Sequence, residues 1–139
     1  SNNTAVGFEA AYSNTSGDEI TALGYRALKA NTTGNANTAF GSTALSANTT
    51  GNANTAIGAN AMNANTTGSN NNVIGYNQVC TNFSGVSMLG RSDTATGSNQ
   101  MRFGSAVINN GAVATETVVS DRTWAVFING VAYKILLKA

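Results

Sequence analysis

The chain repeats one short pattern of polar and apolar positions. Gly7, Gly24, Gly41, Gly58 and Gly75 recur every 17 residues, and Gly17, Gly34, Gly51, Gly68 and Gly85 keep the same interval. Between them the text nearly copies itself: NTAVGFEAAYSNTSGDE, ITALGYRALKANTTGNA, NTAFGSTALSANTTGNA, NTAIGANAMNANTTGSN, then NNVIGYNQVCTNFSG. After that the interval shortens, with glycines at Gly90 and Gly104. Self-similarity at a fixed period is the signature of a stacked architecture, in which each unit buries its apolar side against its neighbours.

The columns of the repeat have separate physical meanings. Val6, Leu23, Phe40, Ile57 and Ile74 share one column and predict a continuous apolar ladder. The preceding Ala5, Ala22, Ala39, Ala56 and Val73 are small enough for close approach. Ala11, Leu28, Leu45, Met62 and Val79 predict a second ladder. The run N-T-A-hydrophobic-G reads as a strand of four or five residues ended by its glycine. A-N-T-T-G reads as a turn, with Asn able to cap it and Gly free to adopt positive φ. Helices are excluded, because Gly or Asn interrupts every stretch before it reaches helical length.

The prediction is therefore an all-β parallel β-roll or solenoid of 17-residue repeats. Successive copies of a column would stand about 4.8 Å apart. At that spacing Asn14, Asn31, Asn48, Asn65 and Asn82 can hydrogen-bond along the stack, and the threonine columns can form hydroxyl ladders. Adjacent strand positions face opposite sides, yet both the alanine and its large neighbour are apolar. One face can line the roll, and the other then needs a second surface. A homotrimer around a common axis would supply it; a monomeric solenoid that buries both ladders partly is the alternative.

The predicted organisation is a repeat roll over 1–98, a transition over 99–111 and a distinct segment over 112–139. In the last, Thr123–Ile128, Asn129-Gly130 and Val131–Leu137 carry a hairpin pattern, since Asn-Gly favours the turn that matches strand twist. An exposed last rung needs covering, so this hairpin is expected to cap the stack or lock a trimer. A receptor-binding tip bearing Arg122, Trp124 and Tyr133 is the other reading.

Composition narrows the function. Lys plus Arg number 7 and Asp plus Glu 6, and no charged residue lies between Ala30 and Gly90. Without a basic surplus, no nucleic-acid partner is expected. There is no His, so the usual general base is missing. Cys80 is the single cysteine, which excludes a disulfide or a cysteine zinc site within one chain; its polar column (Tyr12, Lys29, Ser46, Asn63) predicts a thiol near the surface. No run approaches the roughly 20 apolar residues of a spanning helix, so no membrane insertion by this segment is expected. Asp18, Glu19, Asp93, Glu116 and Asp121 are too scattered to suggest a catalytic carboxylate pair. No cofactor and no enzyme activity are expected.

Asn14-Thr15-Ser16, Asn31-Thr32-Thr33, Asn48-Thr49-Thr50, Asn65-Thr66-Thr67 and Asn82-Phe83-Ser84 match the N-glycosylation acceptor pattern, although one repeated turn generates them all. Recognition would sit in the variable columns: Phe8, Tyr25, Ser42, Ala59 and Tyr76, then Glu9, Arg26, Thr43, Asn60 and Asn77. Tyr12, Tyr25, Arg26 and Tyr76 are the candidate receptor contacts there. Neutral amides, hydroxyls and aromatics suit a surface glycan or protein receptor better than a phosphate.

The N-T-A-[VLFI]-G core and the A-L-x-A-N-T-T-G return, from about Asn3 to Gly104, resemble the head repeats of trimeric autotransporter adhesins and related repeats in phage tail fibres and other bacterial trimeric fibres. That resemblance implies a left-handed parallel β-roll assembled as an intertwined homotrimer. It also implies an extracellular place, on a bacterial surface or a virion fibre, and non-enzymatic attachment to a host, prey or cell-surface receptor. The autotransporter repeat is typically shorter, closer to the spacing after Gly75. A purely structural shaft with its receptor site elsewhere is the alternative role.

Overall fold

The computed structural model describes residues 2–105, 123–128 and 131–136. The chain divides into two units, 1–107 and 108–139. In the first unit seven short strands stack in sequence order as one parallel sheet: β1 (Thr4–Val6), β2 (Thr21–Leu23), β3 (Thr38–Phe40), β4 (Thr55–Ile57), β5 (Asn72–Ile74), β6 (Ser87–Arg91) and β7 (Met101–Ser105). Pairing is column on column, Thr4↔Thr21↔Thr38↔Thr55↔Asn72↔Ser87↔Met101. The result is a β-solenoid of about six turns. Among the described residues there is no helix. The first five strands have three residues, not four or five, and the stack continues through β7 into the stretch read as transitional.

Strand alternation decides what is inside. In T-A-Φ the middle residue faces inward, so Ala22, Ala39, Ala56, Val73 and Met88 are buried. The interior is thin: the alanines admit Leu28, Leu45 and Met62 from the opposite side of the roll into the same buried cluster. Each of these is fully buried, contributing about 1.5–3 kcal/mol by removal from water. The column Val6, Leu23, Phe40, Ile57 and Ile74 does run in register, but on the outer face. The sequence left open which of the two apolar faces lines the roll; it is the alanine face that fills the core.

The corners need left-handed backbone. Arg26, Leu28 and Ala36 hold φ of 55, 51 and 54, and their equivalents in neighbouring rungs repeat this. Such conformations cost about 1–2 kcal/mol each for non-glycine residues. Rung-to-rung bonds offset the cost: Arg26 N donates to Phe8 O (2.8 Å), Leu28 N to Ala44 O (3.0 Å) and Ala36 N to Asp18 O (2.9 Å). The two glycine series differ. Gly24 has φ 133, whereas Gly34 is not in the left-handed region, contrary to the turn reading. Gly34 is needed for closeness, because a Cβ there would collide with the Gly51 carbonyl and lie 2.6 Å from Asn31 Oδ1.

The fifth rung is two residues shorter, with β5 to β6 spaced by 15 residues and β6 to β7 by 14. Its second side is extended, and Val79 forms a parallel bridge with Thr94. Alternation then buries Gln78 and Cys80 and leaves Val79 only half-buried. Val79 is therefore not a continuation of the Leu28–Leu45–Met62 column, and Cys80 is not near the surface.

In the second unit, β8 (Thr123–Ile128) pairs antiparallel with β9 (Val131–Leu136), from Thr123↔Leu136 to Ile128↔Val131. The two strands fall on the two runs that flank Asn-Gly in the predicted hairpin pattern. The turn residues Asn129 and Gly130 lie outside the described residues.

Candidate functional site

Three features of the first unit bear on function: the outer face of its sheet, the side columns, and the amide ladders inside its corner. On the outer face Val6, Leu23, Phe40, Ile74, Leu89 and Phe103 form an in-register apolar column that none of the described residues covers. Val6 is 55% exposed, Phe40 53% and Phe103 69%, the values of surface residues. Beside it run Thr4, Thr21, Thr38, Thr55, Asn72 and Ser87. Toward β7 the face hollows into a groove of about 240 Å³ lined by Ile74, Leu89, Met101, Arg102 and Phe103. Isolated exposed apolar residues are ordinary; a contiguous stripe along a whole sheet marks an interaction surface.

The side columns carry the aromatics. Phe8 and Tyr25 stack at 5.6 Å with planes 11° apart, and the Arg26 guanidinium lies 4.9 Å from the Tyr25 centroid. Arg26 Nε and Lys29 Nζ both reach Glu9 Oε2, at 2.8 and 2.7 Å. The Lys29 hydrogen bond, joined by that of Arg26, holds the Glu9 carboxyl below its usual range. Further along the column stand the small Ser42 and Ala59, then exposed Tyr76. Tyr12 is exposed on the first rung. So Tyr25 and Arg26 are in contact, while Tyr12 and Tyr76 are exposed separately. Arg122 lies outside the described residues, and Trp124 and Tyr133 are placed only by strand register, opposite Ile135 and Val126.

Inside the roll, amides form two ladders. In one, Asn31, Asn48 and Asn65 each donate Nδ2 to the Oδ1 of the asparagine one rung earlier, at 2.9–3.0 Å. Each also donates to the glycine carbonyl of its own turn at 3.0 Å. Three Thr hydroxyls (Thr15, Thr32, Thr49) likewise donate to the next rung's carbonyl. The expected fifth member, Asn82, is absent from the ladder. Cys80 stands in its structural place, its Sγ 3.9 Å from Phe83 O as each Asn donates to its glycine. A thiol is a weak donor, and Asn65 Oδ1 is left buried without a partner. Burial pushes the Cys80 thiol up to about 11.

Sequence reasoning missed the second ladder. Asn54 and Asn71 donate Nδ2 to Asn37 and Asn54 Oδ1 at 3.1 and 3.0 Å, and Val86 N closes the series on Asn71 Oδ1 at 2.9 Å. Ile20 interrupts that column in the second repeat, which hides it. Also unforeseen was the forked pair from Arg102 Nε and Nη2 to Asp93 Oδ2 and Oδ1, at 2.8 and 2.7 Å. The Arg102 hydrogen bonds hold the Asp93 carboxyl below 3.8. Among the described residues no group of His, Cys, Asp or Glu is placed to hold a metal ion, and no helix is long and apolar enough to cross a membrane.

What the fold and these surfaces define is a repeat β-solenoid with an apolar sheet face that none of the described residues covers. No family model, no curated protein and no solved structure matches the chain.

Proposed function

We propose that this chain is a non-enzymatic adhesive fibre module, built as an intertwined homotrimer of left-handed rolls, that binds a surface glycan or protein receptor by multivalent display on a cell surface or virion. One observation supports this above the others: the outward apolar column from Val6 to Phe103 spans every rung and has no partner among the described residues. Six rung steps of about 4.8 Å extend that stripe over roughly 29 Å. Two further copies would cover it, and the resemblance to trimeric fibres supplies the number and the hand. The side columns, with Tyr25, Arg26 and Tyr76, would then be presented three times on one axis, raising avidity 10²–10⁴-fold over a single weak contact on the order expected for linked sites.

Light scattering tests the assembly. The expected mass is three times 14.1 kDa, and Phe40→Asp should reduce it to a monomer that keeps its β spectrum. A stable wild-type monomer would sink the proposal. Given a trimer, attachment to cells or immobilised glycans that falls on substituting Tyr25 and Tyr76 supports the adhesin. Attachment unchanged by those substitutions would favour a structural shaft with its receptor site elsewhere.

A further inference from the structure

Five tripeptides fit the N-glycosylation acceptor pattern, and the fold treats them unequally. Asn31, Asn48 and Asn65 are fully buried. Both protons of each Nδ2 are in use, one along the ladder and one on the glycine of the same turn. Asn14 is half-buried and held at both ends, donating to Gly17 O and accepting from Asn31. A sugar on Asn31, Asn48 or Asn65 would break the ladder, and Asn14 Nδ2 is tied to Gly17 O at a half-buried place.

Asn82 is different because its rung is short. Cys80 takes the inward place, and Asn82 moves to an exposed turn with φ 54. Its Oδ1 accepts three hydrogen bonds, from Thr66 N (2.8 Å), Thr66 Oγ1 (2.7 Å) and Thr67 N (3.1 Å). Its Nδ2 donates to none of the described residues. The oxygen end of the amide is thus anchored on the previous rung, and the nitrogen is the free end.

We propose that Asn82, within Asn82-Phe83-Ser84, is an N-glycosylation site, and the one acceptor of the five that the folded roll can offer. The donor would be a sugar activated through a diphosphate at its anomeric carbon. The bond from C1 to Asn82 Nδ2 forms as the bond from C1 to the diphosphate oxygen breaks, and the diphosphate leaves with the bonding pair. One Nδ2 proton passes to a base of the transferase; the other remains. The carbonyl oxygen is untouched, so all three bonds to Thr66 and Thr67 survive. That compatibility separates Asn82 from the ladder asparagines, whose donated protons hold the stack together.

The test uses the purified, folded chain with UDP-glucose and a soluble N-glycosyltransferase that reads the acceptor tripeptide. Intact mass and peptide mapping should show one hexose, on Asn82. It should vanish in Asn82→Gln and in Ser84→Ala, with the β spectrum of both variants checked. The same chain unfolded in a urea concentration the enzyme tolerates should accept hexose at further sites. A folded chain that takes none while the unfolded chain takes several would overturn the proposal, as would hexose on Asn14, Asn31, Asn48 or Asn65 of the folded protein.

Discussion

Replacing Asn48 by Ala tests the amide ladder at its centre. Asn48 Nδ2 donates to Asn31 Oδ1 (2.9 Å) and Gly51 O (3.0 Å), and its Oδ1 accepts from Asn65 Nδ2 (3.0 Å). After truncation Gly51 O keeps Asn37 Nδ2 at 2.7 Å, and Asn65 Nδ2 keeps Gly68 O. Asn31 Oδ1 has no substitute, and a buried acceptor without a donor costs about 1–3 kcal/mol. The lost ladder bond from Asn65 adds about 1 kcal/mol more. The expected penalty is about 2–4 kcal/mol. Asn14→Ala removes the end of the same ladder, where the half-buried site admits water; about 0.5–1 kcal/mol is expected there.

Urea denaturation followed by far-ultraviolet circular dichroism measures the difference, at one protein concentration because assembly would shift the midpoint. With a slope of about 2 kcal/mol/M, Asn48→Ala should unfold roughly 1 M earlier than Asn14→Ala at unchanged slope. Equal midpoints would refute the ladder argument. Asn48→Asp sharpens it, since a carboxylate oxygen would face Asn31 Oδ1. That group favours its protonated form when folded, so its folded pKa is raised and this variant should gain stability as pH falls.

Other outcomes follow from the same geometry. Gly41→Ala places a Cβ 2.6 Å from the Gly58 carbonyl at φ 140, so loss of cooperative unfolding or a penalty above about 3 kcal/mol is expected; Gly97→Ala, with only the flexible Gln100 amide 3.4 Å away, should change the midpoint by less than about 0.5 kcal/mol. The depressed Asp93 carboxyl stabilises the fold above its ordinary 3.8, and this contribution disappears as pH falls through the lower folded value. Denaturation midpoints taken from about pH 5 downward should therefore decline less steeply in Asp93→Asn than in the wild type. With its thiol pKa near 11, Cys80 should be about one part in a thousand ionised at pH 8 and resist a disulfide reagent until urea unfolds the chain; rapid labelling of the native protein would contradict its burial.

Much of the fold was legible because a stack reads its own period aloud. The 17-residue spacing gives the parallel sheet, the register and one amide ladder, and the runs Thr123–Ile128 and Val131–Leu136 give the antiparallel strand pair. What failed has physical reasons. Ala and Leu are both apolar, so hydrophobicity could not say which of Ala22 and Leu23 faces inward; only the thinness of the interior decides it. Gly85 and Asn82 keep the 17-residue interval in sequence but not in space. Gly85, at φ 70, occupies the left-handed place of Asn70, fifteen residues earlier. Two residues had been lost before it, between Gly75 and Cys80, and the coincident spacing concealed the shift. Candidate contacts were legible only as exposed columns, since Arg26 reaching back to Glu9 depends on the stack being formed.

The near absence of charge follows from stacking as well. A residue in a solenoid column has its own copies one rung away, about 4.8 Å distant. Like charges at that spacing repel by about 1 kcal/mol in water and several times more at a protein surface, and the penalty recurs at every rung. An amide or hydroxyl in the same column gains a bond at every rung instead, as Asn48 and Thr49 do. Charge is tolerated where the column alternates in sign or is interrupted. Glu9 sits on Arg26, which sits on neutral Thr43; Asp18 sits on Asn35 and takes the backbone N–H of Asn2 and Glu19. A charge-free stretch from Ala30 to Gly90 is thus what identical rungs require. It leaves the outer columns to speak through shape, aromatic faces and neutral hydrogen bonds. That is also the chemistry by which a fibre would hold a neutral glycan, many weak contacts at a time.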